Sequence, residues 1–163
     1  MVKNNRLIAQ MDELAPIIRE HIARGKSVRI SPKGVSMLPM IRQGKDTVTL
    51  SPIPEKMRKY DLPLYQREDG KYVLHRIVAV ENGYTCIGDN QFVYEKGIKH
   101  AQMIAVVTSF TRGKKEYSVT NIFYKMYCRF WHRSRALRHF WRRGIGKLRR
   151  IFKIKKGAGN ARI

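Results

Sequence analysis

Apolar residues recur at three- and four-residue spacing over residues 6–24, where Leu7, Ile8, Met11, Leu14, Ile17, Ile18 and Ile22 share one helical face. Pro16 sits inside that run and predicts a kink or a division of the helix. Gly25 follows as a C-terminal stop. The period then falls to two: Val28 and Ile30 alternate with Arg29 and Ser31, which predicts a short strand over residues 27–31.

After a loop at residues 32–34, the two-residue period predicts strands at 47–50, 62–66, 72–80, 84–87 and 104–110. Asp69-Gly70 and Asn82-Gly83 interrupt this pattern, and both pairs adopt positive φ at low cost. Residues 64–67 should therefore pair with 71–74, and 78–81 with 84–87, as antiparallel hairpins. From Asn121 the period turns helical again, with Phe123, Met126, Tyr127, Phe130, Trp131, Leu137, Phe140, Trp141, Ile145, Leu148, Ile151 and Phe152 forming one stripe. Gly144 and Gly146 should weaken this helix, and residues 157–163 read as a frayed tail. The expected class is α+β, mainly β, with a helix at each end.

Length and composition narrow this picture. The 163 residues suit one domain with appendages, and 43% apolar content suffices for a packed interior. Cys86 and Cys128 form neither a disulfide framework nor a metal-ligand spacing, so both are expected to be inert and no metal or cofactor is called for. The start of the chain lacks a basic stretch followed by an apolar block, which points to the cytoplasm. The longest run without Lys, Arg, Asp or Glu, residues 100–111, is 12 residues, short of the 17 to 25 that a membrane span needs.

The net charge of +22 matters chiefly for its placement. From Tyr117 onward there are 14 Lys and Arg and no acid, so this stretch carries +14 and the preceding 116 residues carry the other +8. Aromatic and aliphatic residues opposite an all-basic face fit an interfacial helix on anionic lipid through residues 121–156, peripheral at the inner face of the membrane. Packing on the chain's own domain explains such a face equally well, and single-stranded nucleic acid is the lesser alternative.

The chemistry concentrates in three short segments. Ser36 stands in Gly34-Val35-Ser36-Met37-Leu38-Pro39, a loop serine held between glycine and proline. A serine hydroxyl attacks a carbonyl only with a base to take its proton. His75, in Leu74-His75-Arg76-Ile77-Val78, shares a strand face with Val73 and Ile77, and partial burial there keeps an imidazole neutral and basic near pH 7. A third group must fix the ring's tautomer, and spacing alone leaves both Asp89, in Gly88-Asp89-Asn90, and Glu95 open for that role.

These three segments, in this order, resemble the signature of the S24/S26 serine peptidase families, which include type I signal peptidases and the catalytic domains of self-cleaving repressors. The resemblance covers about residues 28–110. It implies a β-rich catalytic domain over residues 26–116, flanked by an N-terminal helix at 1–25 and a basic amphipathic helix and tail at 117–163. Most bacterial members use lysine as base, whereas a histidine subgroup carries a His-Arg pair, here His75-Arg76, 39 residues after the serine. In that subgroup the catalytic acid lies a few residues beyond the Gly-Asp-Asn box, at the position of Glu95, where the family has aspartate, and the box aspartate supports the site.

The resemblance implies a serine endopeptidase acting on a peptide or protein substrate through an acyl-enzyme. The catalytic set is Ser36, His75, Asp89 as first orienting acid and Glu95 as second, without a membrane anchor. An inactive peptidase fold, serving as a binding module for anionic membrane or nucleic acid through its basic tail, is the alternative. Regulated self-cleavage is a weaker one: Ala158-Gly159 echoes the repressors' cleavage dipeptide, but lies after the catalytic segment. About 25 residues of N-terminal helix cannot supply a helix-turn-helix.

Overall fold

The computed structural model describes residues 11–141. Leu7 and Ile8, the helical stripe from Ile145 onward and the tail at 157–163 lie outside the described residues. Helix α1 spans Met11–Ala23, and Pro16 neither stops nor divides it. Its N-terminal half carries Asp12 and Glu13, the charge that favours the positive end of a helix dipole. At its other end Gly25 N–H donates to Ile22 O (2.9 Å) and Lys26 N–H to His21 O (2.9 Å), the paired bonds of a glycine-terminated helix. Ala15 and Ile18 are buried, while Ile17, assigned to the core face by periodicity, is 51% exposed. A face of a helix this short is narrower than the run of apolar residues, so Ile17 falls beyond its edge.

Nine strands follow: β1 (Val28–Ile30), β2 (Val48–Ser51), β3 (Pro63–Gln66), β4 (Tyr72–Leu74), β5 (Arg76–Val80), β6 (Tyr84–Ile87), β7 (Glu95–Ile98), β8 (Met103–Arg112) and β9 (Lys115–Ser118). Both expected hairpins form. Leu64 faces Leu74 and Gln66 faces Tyr72 across the first. The second closes one residue earlier than expected: Val80, not Glu81, faces Tyr84, and in the three-residue loop between them Asn82 (φ 49°) and Gly83 (φ 102°) adopt positive φ.

The strands make two sheets. One has the order β1-β2-β8-β3-β4, with β9 also paired to β8; the other is β5-β6-β7. The strand expected over residues 72–80 is therefore two strands in different sheets, with His75 alone between Leu74 and Arg76. Leu74 is buried in a core with Val48, Leu50, Leu64, Val107 and Ile18, and Ile77 in a second core with Tyr65, Cys86 and Met103. Both polar residues at the change of sheet, His75 and Arg76, are buried between these two cores, so the apolar run on either side reads as one strand.

Helix α2 spans Ile122–Arg133, and residues 135–141 are helical again. Its buried residues are Tyr124 and Cys128, which join the first core. Most of the expected stripe lies outward instead: Phe123 is 76% exposed, Met126 57% and Phe130 70%. The chain divides into two compact units, residues 1–128 and 129–163. Helix α1 and the start of α2 lie in the first unit, and their buried side chains join its core. Among the described residues, no helix is long and apolar enough to cross a membrane.

Candidate active site

The three sequence segments meet at the end of β6. Residue pairs Ile77 with Cys86 and Arg76 with Ile87 align β5 on β6, and His75 directly precedes Arg76 just as Gly88 directly follows Ile87. The Ser36 loop packs on that glycine: a Cβ at residue 88 would sit 2.7 Å from Ser36 O and 3.1 Å from Ser36 Cβ. Only glycine allows this approach. Asn90 then holds the loop, its N–H donating to Ser36 O (2.7 Å) and its Nδ2 to Val35 O (3.1 Å).

Two further groups brace the loop. Gly34 N–H donates to Gln43 Oε1 (2.9 Å). Beyond it Asp46, without exposed surface, accepts from Arg42 through the backbone N–H (2.9 Å), Nε (2.8 Å) and Nη2 (2.7 Å). That fork holds the Asp46 carboxyl below the usual carboxylate range. A cavity of about 80 Å³ is bordered by Ser36, Met37 and Ile41 of the loop and by Val73 and Leu74, which immediately precede His75.

His75 is 1% exposed, more deeply buried than strand alternation implied. Its Nδ1 lies 2.8 Å from Glu95 Oε1. Glu95 reaches it because β7 pairs with β6, where Glu95 stands opposite Cys86. The Glu95 carboxylate is itself gripped from β3 and the turn beyond it: Arg67 Nε donates to Oε2 (2.6 Å), Arg67 Nη2 to Oε1, and the Tyr65 hydroxyl to Oε2 (2.9 Å). Burial opposes ionisation of Glu95, but the Arg67 fork and the Tyr65 hydroxyl outweigh it and hold the carboxyl below its ordinary range.

An ionised carboxylate only accepts, so the His75 proton resides on Nδ1 and Nε2 presents its lone pair. That Nε2 is buried and has no hydrogen-bond partner. Burial lowers the His75 pKa below the ordinary imidazole value, the Glu95 charge partly restores it, and the Arg67 charge depresses it again. The ring is neutral at pH 7.

Sequence spacing left two acids open, and the structure separates them. Glu95 meets the imidazole, whereas Asp89, named first for that role, does not; its two oxygens accept from Arg76 Nε and Nη2, each at 2.8 Å. Alternation explains this: the acid two strands across faces His75, while Asp89, one residue past Gly88, is turned toward the residue after His75. Arg76, 2% exposed, also donates from Nη1 to Tyr124 OH (2.7 Å), Cys128 Sγ (3.0 Å) and Tyr60 O (3.2 Å). Asp89 thus supports the site by tying the end of β6 to β5 and, through Arg76, to α2.

The two cysteines are unpaired and buried, and burial pushes the Cys86 thiol up to about 12, so neither is a nucleophile. The Ser36 hydroxyl and His75 Nε2 are not hydrogen-bonded to one another, although Gly88 touches the serine and follows Ile87, the strand partner of the residue after His75. Sequence reasoning missed Tyr65 and Arg67. Their signal was present in the first hairpin, where Tyr65 faces Val73 on the His75 side and Arg67 is two residues further along the same face.

No family model matches the chain, and no curated protein or solved structure matches it at a significant level.

Proposed function

We propose that the chain is a serine endopeptidase in which Ser36 is the nucleophile, His75 the general base and Glu95 the acid that orients it. The observation that carries this reading is the state of His75. Its Nδ1 is committed to an ionised carboxylate while its buried Nε2 is unpartnered, and His75 directly precedes Arg76, whose strand partner Ile87 directly precedes the glycine on which Ser36 rests. A buried ring nitrogen without a partner is uncommon, and a nitrogen waiting for a hydroxyl proton accounts for it.

In this reading His75 Nε2 takes the Ser36 proton as the oxygen attacks a peptide carbonyl, and the imidazolium is stabilised through Nδ1–H by Glu95. The Ser36 backbone N–H contributes to the oxyanion hole, since it belongs to the nucleophile's own residue. The imidazolium then protonates the departing amine, leaving an acyl-enzyme that a water activated by His75 hydrolyses. Arg67 and Tyr65 position Glu95 without touching substrate.

The lack of a bond between the serine hydroxyl and the ring favours a second reading, an inactive peptidase fold retained as a binding module. One experiment separates the two. The wild-type chain should be labelled by a fluorophosphonate and should cleave peptides, and Ser36→Ala and His75→Ala should abolish both. Labelling that persists in Ser36→Ala, or a wild type that is folded yet inert to the reagent, overturns the peptidase reading.

A further inference from the structure

Helix α2 has a second apolar face that the fold leaves uncovered. At about 100° per residue, its buried members Tyr124 and Cys128 lie on one side, and Ile122, Met126, Phe130 and Phe123 fill an arc on the other. These four are 59%, 57%, 70% and 76% exposed. Lys125 and Arg129 border that arc on one side and Arg133 projects between Ile122 and Met126, all three exposed. In the second unit Leu137 (62%), Phe140 (76%) and Trp141 (65%) are exposed as well.

We infer that this face of α2 docks in the plane of an anionic bilayer, with Ile122, Phe123, Met126 and Phe130 entering the interface and the flanking cations on the headgroups. This goes beyond the peptidase reading and does not depend on it. Charge complementarity selects the occupant. A second copy of the chain would bring another +22 to the contact, and residues 117–163 contain no acid to answer the 14 cations there. A nucleic-acid strand would match the charge, but Ile122 and Met126 offer bases no aromatic surface to stack on. A bilayer of anionic lipid takes up aliphatic and aromatic side chains alike while attracting Lys and Arg at its surface.

The test is flotation of the full chain with vesicles of phosphatidylcholine alone and of phosphatidylcholine containing about a third phosphatidylglycerol. The chain should float with the second at least about tenfold more strongly than with the first, as several surface cations together imply. A Phe123→Ser, Met126→Ser, Phe130→Ser variant should lose about tenfold or more of that binding while keeping its circular dichroism spectrum and thermal transition, because the replaced side chains are not in the core. Three results overturn the inference: no flotation of the wild type, equal flotation with both vesicles, or undiminished flotation of the folded variant. Retention of a single-stranded RNA by the wild type and the variant alike, without flotation, assigns the charge to nucleic acid instead.

Discussion

At the scale of single residues, the behaviour of His75 rests on two neighbours of opposite charge. Burial lowers its pKa most, Glu95 raises it, Arg67 lowers it again, and the Asp89 charge adds the smallest of these effects, a rise. Catalysis through a neutral imidazole fails as pH falls and the ring protonates, so the acid limb of kcat/KM should lie below the ordinary imidazole value of about 6.5. Arg67→Gln should move that limb to higher pH, since a depressing charge is removed. Glu95→Gln should move it lower and also release the tautomer, reducing kcat by about 10² to 10⁴ with little change in KM. A pH profile of peptide cleavage for the three proteins checks both directions. Asp89→Asn should also move the limb lower, but by less than Glu95→Gln, because its carboxylate is hydrogen-bonded to Arg76 and acts on the ring only through its charge.

At the scale of elements, the close approach of the Ser36 loop to the end of β6 gives a sharp expectation. Gly88→Ala would drive a Cβ into the Ser36 backbone and within 3.0 Å of Gln91 Oε1, so the loop must move. A displacement of about 1 Å at a nucleophile costs roughly 10²-fold in rate, whereas overpacking at this one site costs about 1–3 kcal/mol. Fluorophosphonate labelling should therefore fail in a protein that still unfolds cooperatively. The Arg76–Asp89 pair links β5, β6 and α2. Removing Asp89 with alanine leaves a buried guanidinium unpaired and should cost about 3–5 kcal/mol, while Arg76→Met with Asp89→Leu should recover most of it, measured by urea unfolding. Those same elements show what was legible in the sequence. Turn chemistry at Asp-Gly and Asn-Gly located both hairpins, the second closing on Val80 rather than Glu81, and the apolar run of β8 announced itself. Strands β7 and β9 went unseen because Glu95-Lys96-Gly97 and Lys115-Glu116 are polar and largely exposed, and such edges are held by backbone bonds to a neighbour rather than by any pattern of their own. The phase of α2 was misread for a related reason. Periodicity favours its largest apolar residues, yet what the fold buries is Tyr124 and Cys128, drawn in by Arg76.

At the scale of the whole molecule, stability should depend on acid in two stages. The folded pKa of His75 is depressed, so its contribution is present above the unfolded value of about 6.5 and is lost as pH falls toward the folded one. The depressed carboxyls of Glu95 and Asp46 contribute above about 4 and lose that contribution below it. Thermal unfolding followed from pH 8 to pH 4 should show Tm falling first through the histidine range, and His75→Gln should flatten that first stage alone. The position of His75 between the last strand of one sheet and the first of the other reaches further. A proton acceptor mounted on the joint between two ladders reports their mutual alignment, so turnover becomes a gauge of rigidity across that joint. Low concentrations of urea should silence cleavage while the far-ultraviolet signature of both ladders is still intact.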